Sequence, residues 1–404
     1  MILQHWLAAT FALLWVALLV TVVVRFLDSK RLSAYQPVAR GDAPSLSLII
    51  PARNEARNIG DCLRSVLGSD YPRLEVIVVD DHSTDGTGDI VRAIAATDAR
   101  LRVVPAPDLP AGWFGKQWAC HTGARAATGD LLCFTDADTR HAATLLSRSV
   151  GAMRARGADL FTVAGHQEAV TFWEKVVQPF VFSILLARYG GLEAMSRSTK
   201  PIDKIANGQF ILLSRRSYER IGGHAAVKDH VAEDLRLAQV VTERGMQAHM
   251  LLARDELRTR MYTSLSEIRR GWGKNVYAAG RDTLPLNAVT AKIFPWVFPL
   301  PALLPVLPLV CLAFGLAAFG GVDGATASIG EVGSIGGVLL FAAITAPATL
   351  LYYAGVYAFA RLNPLWALSY PLAAVTFSGI CAEAAWRGSK VQWKGRDYES
   401  RRAA

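Results

Sequence analysis

Asp136-Ala137-Asp138 places two carboxylates one residue apart, directly after the apolar run Leu131 to Thr135. Such a pair can converge on one hard cation, Mg²⁺ or Mn²⁺, which bridges to diphosphate oxygens and offsets leaving-group charge. Carboxylates at the end of a buried strand need water, a metal or a partner. A second acidic pair, Glu233-Asp234, sits where a helix can begin. A helix N-terminus favours a carboxylate electrostatically, so capping alone accounts for it. The chemical alternative makes Asp234 a general base that takes the proton of an acceptor hydroxyl as it attacks an anomeric carbon. One base and no enzyme nucleophile means single displacement with inversion.

Two polar loops suit a nucleotide. Pro51-Ala52-Arg53-Asn54-Glu55 follows one apolar strand and offers short polar groups to a base or ribose. Asp80 to Thr87 follows the next, and a carboxylate there can accept from the N3–H of uracil. Helix capping alone would explain the Ser, Thr and Gly residues of that loop, but two such loops after consecutive strands favour nucleotide binding. Arg269, Arg270 and Lys274 can hold a departing diphosphate, and Trp272 can stack on a sugar or aglycone. Membrane-interface anchoring is the competing explanation, since Arg, Lys and Trp prefer that zone. Lys116, in the Gly- and Trp-rich stretch 112–120, can reach a phosphate, and Asn207 to Phe210 can shape an acceptor pocket.

An α/β domain must position these groups. Leu46 to Ile50, Val76 to Val79 and Leu131 to Thr135 read as short buried strands, with helical patterns at 58–67 and 86–96 between them. Strands alternating with helices imply a mostly parallel sheet. Such sheets bind ligands at the carboxyl ends of their strands, where the acidic residues lie. The sequence divides into an N-terminal transmembrane anchor at 1–28, a linker at 29–45, a catalytic domain at 46–290, a membrane region at 291–386 and a basic tail at 387–404. The run 2–27 lacks the basic start and the small-residue cleavage site of a signal peptide, and reads as a retained anchor. Residues 171–190 suit an interfacial helix or a core-packing one. Spans are expected near 294–319, 335–360 and 364–385, the first broken by its prolines at 295, 299, 301, 305 and 308. Three C-terminal crossings would put the basic tail on the wrong side of the bilayer, so one segment is re-entrant or interfacial.

Of 404 residues, 52% are hydrophobic and 19% charged, which is too apolar for an ordinary soluble enzyme. The net charge of +9 comes with Lys and Arg beside apolar runs, which points to a lipid bilayer and not to nucleic acid. Five irregularly spaced cysteines suggest neither a disulfide framework nor a zinc site. Nothing in the sequence implies a protein partner.

The order of these clusters resembles glycosyltransferase family 2, whose members use the GT-A fold, a Rossmann-like α/β sheet. The matching residues are Pro51 to Glu55, Val79 to Thr87, Asp136-Ala137-Asp138 (the DXD motif) and Glu233-Asp234. The resemblance implies a hexosyltransferase with a nucleotide-sugar donor such as a UDP-sugar, a divalent metal and inversion. It assigns Asp81 to the base, Asp138 to the metal and Asp234 to base catalysis. Gly112 to Lys116, Ala206 to Phe210, Met261-Tyr262, Gly271 to Asn275 and Trp393-Lys394-Gly395-Arg396 extend the likeness to a membrane branch that glycosylates lipids, including carotenoid-acid and hopanoid-associated enzymes. That likeness implies a membrane lipid acceptor and a catalytic domain on the cytoplasmic face of a bacterial-type plasma membrane. Gly271 parts Arg270 from Trp272, where the related ceramide and polysaccharide enzymes carry an Arg-Trp pair, a departure that speaks against processive polymer synthesis. The alternatives to lipid glycosylation are a polysaccharide synthase subunit and a non-catalytic nucleotide-sugar-binding membrane protein.

Overall fold

The computed structural model describes residues 2–283, 290–320, 329–388, 390–393 and 396–399. The strands are β1 Leu46–Ala52, β2 Leu74–Asp80, β3 Leu101–Pro105, β4 Leu131–Phe134, β5 Thr139–His141, β6 Leu160–Ala164, β7 His166–Gln167, β8 Ile211–Ser214, β9 Ala248–Leu252, β10 Leu257–Thr259, β11 Lys390–Trp393 and β12 Arg396–Glu399. The helices are α1 Ile2–Leu27, α2 Ile59–Leu67, α3 Thr87–Ala95, α4 Gly115–Ala126, α5 Leu145–Ala155, α6 Phe172–Tyr189, α7 Leu192–Arg197, α8 Arg215–Ile221, α9 Glu233–Glu243, α10 Leu265–Thr283, α11 Thr290–Val297, α12 Leu307–Gly320, α13 Ile329–Phe359 and α14 Tyr370–Arg387.

Continuous apolar runs make the central strands. Leu48, Ile49, Ile50 and Val76 to Val79 are fully buried, because helices cover both faces of the sheet. Each such side chain contributes about 1.5–3 kcal/mol by leaving water. The seven-stranded sheet has the order β3-β2-β1-β4-β8-β6-β9. It is parallel except at β8, which runs antiparallel to β4 and β6. In register, Ala52 faces Asp80, and Ile49 faces Phe134. The loops after β1, β2 and β4 therefore emerge at one edge. Reversal of β8 brings the segment before it, Asn207 to Phe210, to that same edge, since Ile211 pairs with Phe134.

Residues 29–45 lie against the domain. Leu32 is fully buried, Arg31 bridges to Leu252, and the Val38 N–H donates to the Ser147 carbonyl at 2.9 Å. Helix α6 buries Val176, Val177, Phe180 and Val181 in a cluster shared with α13 and α14. It is a packing helix that joins the sheet domain to the apolar helices.

Among the described residues, four segments are long and apolar enough to cross a membrane: Leu3–Leu27, Ile293–Gly320, Gly333–Phe359 and Pro364–Arg387. The second is broken, as its prolines imply, into α11, a 3₁₀ stretch at Leu300–Val306 and α12. Contacts order the ends of these helices. Gln4 donates to Ser334 at one extreme, and Phe26 packs on Phe359 at the other, beside the sheet domain. Arg254 lies over the Phe359 ring at 3.9 Å, and Arg361 pairs with Asp255. The chain is thus back at the domain after α13. It is there again after α14, because Arg396 reaches Asp81. Helix α14 begins and ends on the domain side, while α1, α12 and α13 run away from it or back. Parts of the glycine-rich stretch (321–328) and of the basic tail (Lys394, Gly395 and 400–404) lie outside the described residues.

Candidate active site

The first two loops hold each other. The Arg53 Nη1 donates to the Asp81 carbonyl at 2.6 Å, and Asn54 N–H to Ser83 Oγ at 3.0 Å. Thr84 N–H donates to Asn54 Oδ1 at 2.8 Å, Glu55 N–H to Thr87 Oγ1 at 2.8 Å, and Ala56 N–H to Asp85 Oδ2 at 2.9 Å. Ser83, Thr84, Asp85 and Thr87 are therefore consumed in shaping the loops. Asn54 and His82 take left-handed backbone conformations, φ 53° and 56°, which these bonds stabilise. Pro51, Arg53, Glu55 and Asp81 line the cavity above the sheet edge.

The Asp136 to Asp138 loop rests on a buried hydroxyl–imidazole cluster. Thr135 Oγ1 donates to the Gln209 carbonyl at 2.7 Å, and Thr139 Oγ1 to the Asp136 carbonyl at 2.8 Å. His141 Nε2 lies 3.0 Å from Thr135 Oγ1 and 3.2 Å from Thr139 Oγ1. Burial pushes the His141 pKa down to about 3, so this imidazole is a neutral brace.

Lys116, at the start of α4, sits between the two acidic clusters. Its Nζ lies 2.8 Å from Asp136 Oδ1 and 2.8 Å from Glu233 Oε1. Burial lowers its pKa, but Asp136, Glu233 and Asp234 outweigh burial and hold the ammonium charged. Burial raises Glu233, and Lys116 and Lys274 overcome that and lower it. Burial pulls the Lys274 ammonium down, against the attraction of Glu233. Asp138 is pushed up to about 8, first by burial and then by the charges of Asp136 and Glu55. Its Oδ1 is buried without a hydrogen-bond partner among the described residues. Two carboxylates, one with an orphaned oxygen, fit a small hard cation that takes its remaining ligands from phosphate and water. Asp136 and Asp138 are the residues that would hold it.

Asp234 is fixed by two backbone donors, Gly208 N–H to Oδ2 and Leu235 N–H to Oδ1, each 2.8 Å. A Cβ on Gly208 would lie 3.1 Å from both Asp234 Oδ2 and Lys116 Nζ, so the bare backbone allows this approach. Burial and then the Glu233 charge raise Asp234 to about 6, with Lys116 opposing. It is a carboxylate ionised at neutral pH and close to the ideal strength for a general base.

Trp272 and Arg270 separate in role. The Trp272 ring is buried between Phe182 and Tyr262, and its Nε1 donates to Gln178 Oε1 at 3.0 Å. Arg270 is exposed and lines the cavity, whereas Arg269 pairs with Glu383 on α14 at 2.9 Å. Gly271 between them is a packing requirement, because a Cβ there would fall on the Tyr262 ring.

Residues 47–222 match the family model of glycosyl transferase family 2. The family likeness thus rests on the stretch from β1 to the end of α8. The mostly parallel sheet, with loops converging at one edge, is GT-A-like. Two forms of 4,4'-diaponeurosporenoate glycosyltransferase, from Staphylococcus aureus strains MRSA252 and USA300, are each 26% identical over 260 residues. Each match covers 63% of this chain and 66% of the relative's length. Among solved structures, a mannosyltransferase from Pyrobaculum calidifontis in complex with GDP-Man and Mn²⁺ aligns at 21% identity and a TM-score of 0.49, covering 93% of this chain and 97% of that one. Mannosyl-3-phosphoglycerate synthase from Rubrobacter xylanophilus aligns at 17% identity and a TM-score of 0.44, over 65% and 84%.

The sheet edge opens into a cavity of about 1820 Å³. Asp81, Asp136, Asp138, Glu233 and Asp234 line one part, and Trp15, Leu19, Val22, Phe26, Phe298 and Tyr353 line another. The carboxylates and the apolar helices thus share one space. Sequence reasoning missed His141, whose only signal was a histidine shortly after Asp138. It also missed Arg396 and Tyr398, which approach Asp81 and Gly115 from the far end of the chain.

Proposed function

We propose that this glycosyltransferase moves one sugar from a nucleotide-sugar donor, a UDP-sugar, to the hydroxyl or carboxyl head of a membrane lipid such as a carotenoid or other terpenoid, with inversion. One observation carries the proposal: a single cavity joins the carboxylate cluster to a surface built by α1, α6 and α13. A lipid tail seated among Trp15, Val22, Phe26 and Tyr353 would bring its polar head to the sheet edge without leaving an apolar environment. The Staphylococcus aureus relatives favour this acceptor class, since their name specifies an acid, 4,4'-diaponeurosporenoate.

The donor's base and ribose lie along Pro51 to Glu55 and Asp81, with its diphosphate toward Asp136. A divalent cation on Asp136 and Asp138 would neutralise charge on the leaving diphosphate. Asp234, fixed by Gly208 and Leu235, accepts the acceptor's proton as the oxygen attacks the anomeric carbon. Lys116 moderates the charge between the two acidic clusters, and Arg270 at the cavity wall holds the departing diphosphate. Buried apolar walls exclude the water that would otherwise compete as acceptor.

A cytoplasmic catalytic domain is the reading supported by the basic residues: Lys30 and Arg31 follow the segment Leu3–Leu27, Arg361 follows Gly333–Phe359 and Arg387 ends Pro364–Arg387, an arrangement the positive-inside rule favours. The test is release of UDP from a panel of UDP-sugars by the protein in nanodiscs, with Mg²⁺ or Mn²⁺, with and without membrane lipid extract. Release that depends on lipid supports the proposal. Binding of nucleotide without turnover under any condition refutes it in favour of a binding protein.

A further inference from the structure

The hairpin β11–β12 touches two residues that line the cavity, Asp81 and Gly115, from outside the lining itself. Arg396 Nη1 donates to Asp81 Oδ2 at 2.7 Å and Nη2 to Oδ1 at 3.1 Å. Tyr398 stacks on Phe114, with ring centroids 4.3 Å apart and planes at 16°. The Tyr398 hydroxyl accepts from Gly115 N–H at 3.3 Å. Gly115 makes room for the cluster, since a Cβ would lie 2.9 Å from both Arg396 Nη1 and Asp81 Oδ2. Only 3% of the Asp81 side chain is exposed. These contacts join a segment that follows the last membrane-side helix to the loop expected to meet the donor's base.

Two arrangements compete for Asp81. A nucleobase that displaced Arg396 would exchange a bidentate charge-assisted pair for a single bond from a neutral N–H group. A nucleobase that joined the pair would lose neither. Arg396 takes two of the about four acceptor sites on the carboxylate, and His82 Nδ1, 3.2 Å from Oδ1, stands at a third, which leaves about one for a base. An aromatic ring on Phe114 also supplies a flat face beside the loop, of the kind on which bases stack. We propose that the C-terminal hairpin is a wall of the donor site, in which Arg396, held by Asp81, and Tyr398, held by Phe114, contact the base and ribose of the bound nucleoside diphosphate. The inference rests on the reading of this cavity as a nucleotide-sugar site and adds residues that complete it. It gives Asp81 a second task, to orient Arg396. It also gives a task to Arg396, whose basic motif stood out in the sequence without one.

The experiment is equilibrium binding of UDP, and of GDP in parallel, to the full chain in nanodiscs with Mg²⁺. Arg396→Gln weakens UDP roughly tenfold or more, the range for a lost hydrogen bond involving a charged group. Arg396→Lys recovers only part, because the charge remains without the fork. Tyr398→Ala weakens UDP independently and keeps the test alive if Arg396→Gln fails to fold. A second readout is tryptic cleavage after Arg396 in the unaltered protein, which bound UDP slows. Unchanged or tighter UDP binding by both variants, or cleavage accelerated by UDP, overturns the inference and makes the hairpin a bystander or a plug. An unaltered protein that binds neither nucleotide defeats the nucleotide-site reading itself, and this inference with it.

Discussion

Removal of the Lys116 cation is the sharpest electrostatic perturbation available. Lys116→Met keeps most of the side-chain volume and deletes the charge that sits 2.8 Å from both Asp136 and Glu233. Breaking a buried ion pair by removing one partner costs about 3–5 kcal/mol. The Lys116 and Asp136 side chains are 22% and 30% exposed, which favours the lower end, about 3 kcal/mol. At about 2–4 °C per kcal/mol for a domain of this size, the thermal transition falls by roughly 6–12 °C. The pH dependence has a definite sign. In the unaltered protein the Glu233 pKa is lowered, so its ionised form stabilises the fold above its unfolded value, and that contribution is lost as pH falls through the folded value. Without Lys116, burial dominates and the folded value rises, so ionised Glu233 opposes folding at neutral pH and protonation relieves it. The gap between variant and unaltered protein therefore narrows from about pH 7.5 to about pH 5. Tryptophan fluorescence during heating, in nanodiscs and without divalent cations, reads both quantities. A fall below about 3 °C at neutral pH, or a gap that widens on acidification, would refute the bridging role.

Asp234→Asn lowers turnover by about 10²–10⁴-fold while nucleotide binding persists, and by less if the acceptor is a carboxylate that needs no base. In the unaltered protein, turnover falls below about pH 6, where Asp234 protonates; a flat acid limb in the pH–rate profile would exclude it as the base. Asp138→Asn leaves the metal-free thermal transition unchanged or raised, because the Asp138 pKa is pushed up to about 8 and its ionisation opposes folding. The same variant loses Mg²⁺-dependent UDP binding by at least the roughly 10–100-fold that even an outer-shell ligand change costs, which calorimetry measures. Gly271→Ala drives a methyl into the Tyr262 ring and destabilises by about 1–3 kcal/mol; adding Tyr262→Leu restores the thermal transition if that contact is the cause.

The sheet was legible because its central strands are buried on both faces and read as unbroken apolar runs, as at Leu46 to Ile50 and Val76 to Val79. The acidic loops were legible because parallel strands deliver their carboxyl ends to one edge. What each polar residue does once there was not legible. Ser83, Thr84, Asp85 and Thr87 spend hydrogen bonds on the neighbouring loop, and a sequence shows composition but not partners. Lys116 carried a phosphate expectation, yet two carboxylates from distant segments claim its ammonium. The approach of Arg396 to Asp81 spans 315 residues and depends on α14 returning to the domain, which hydropathy alone leaves undecided because α14 is as long as a crossing helix. In packing α14 differs from α1, with 44% of its most apolar stretch buried in protein against 11%.

The central claim is that the carboxylate cluster and the apolar helices serve one reaction, sugar transfer to a lipid. Its most direct test is the appearance of labelled sugar in the organic-extractable lipid fraction when nanodiscs holding the full chain receive a labelled nucleotide sugar, Mg²⁺ and membrane lipid. The account predicts one new glycolipid that Asp234→Asn reduces and that Phe26→Asp, placed in the apolar part of the cavity, also reduces without loss of UDP binding. Label that stays in water-soluble products, or lipid labelling unaffected by both substitutions, would contradict it.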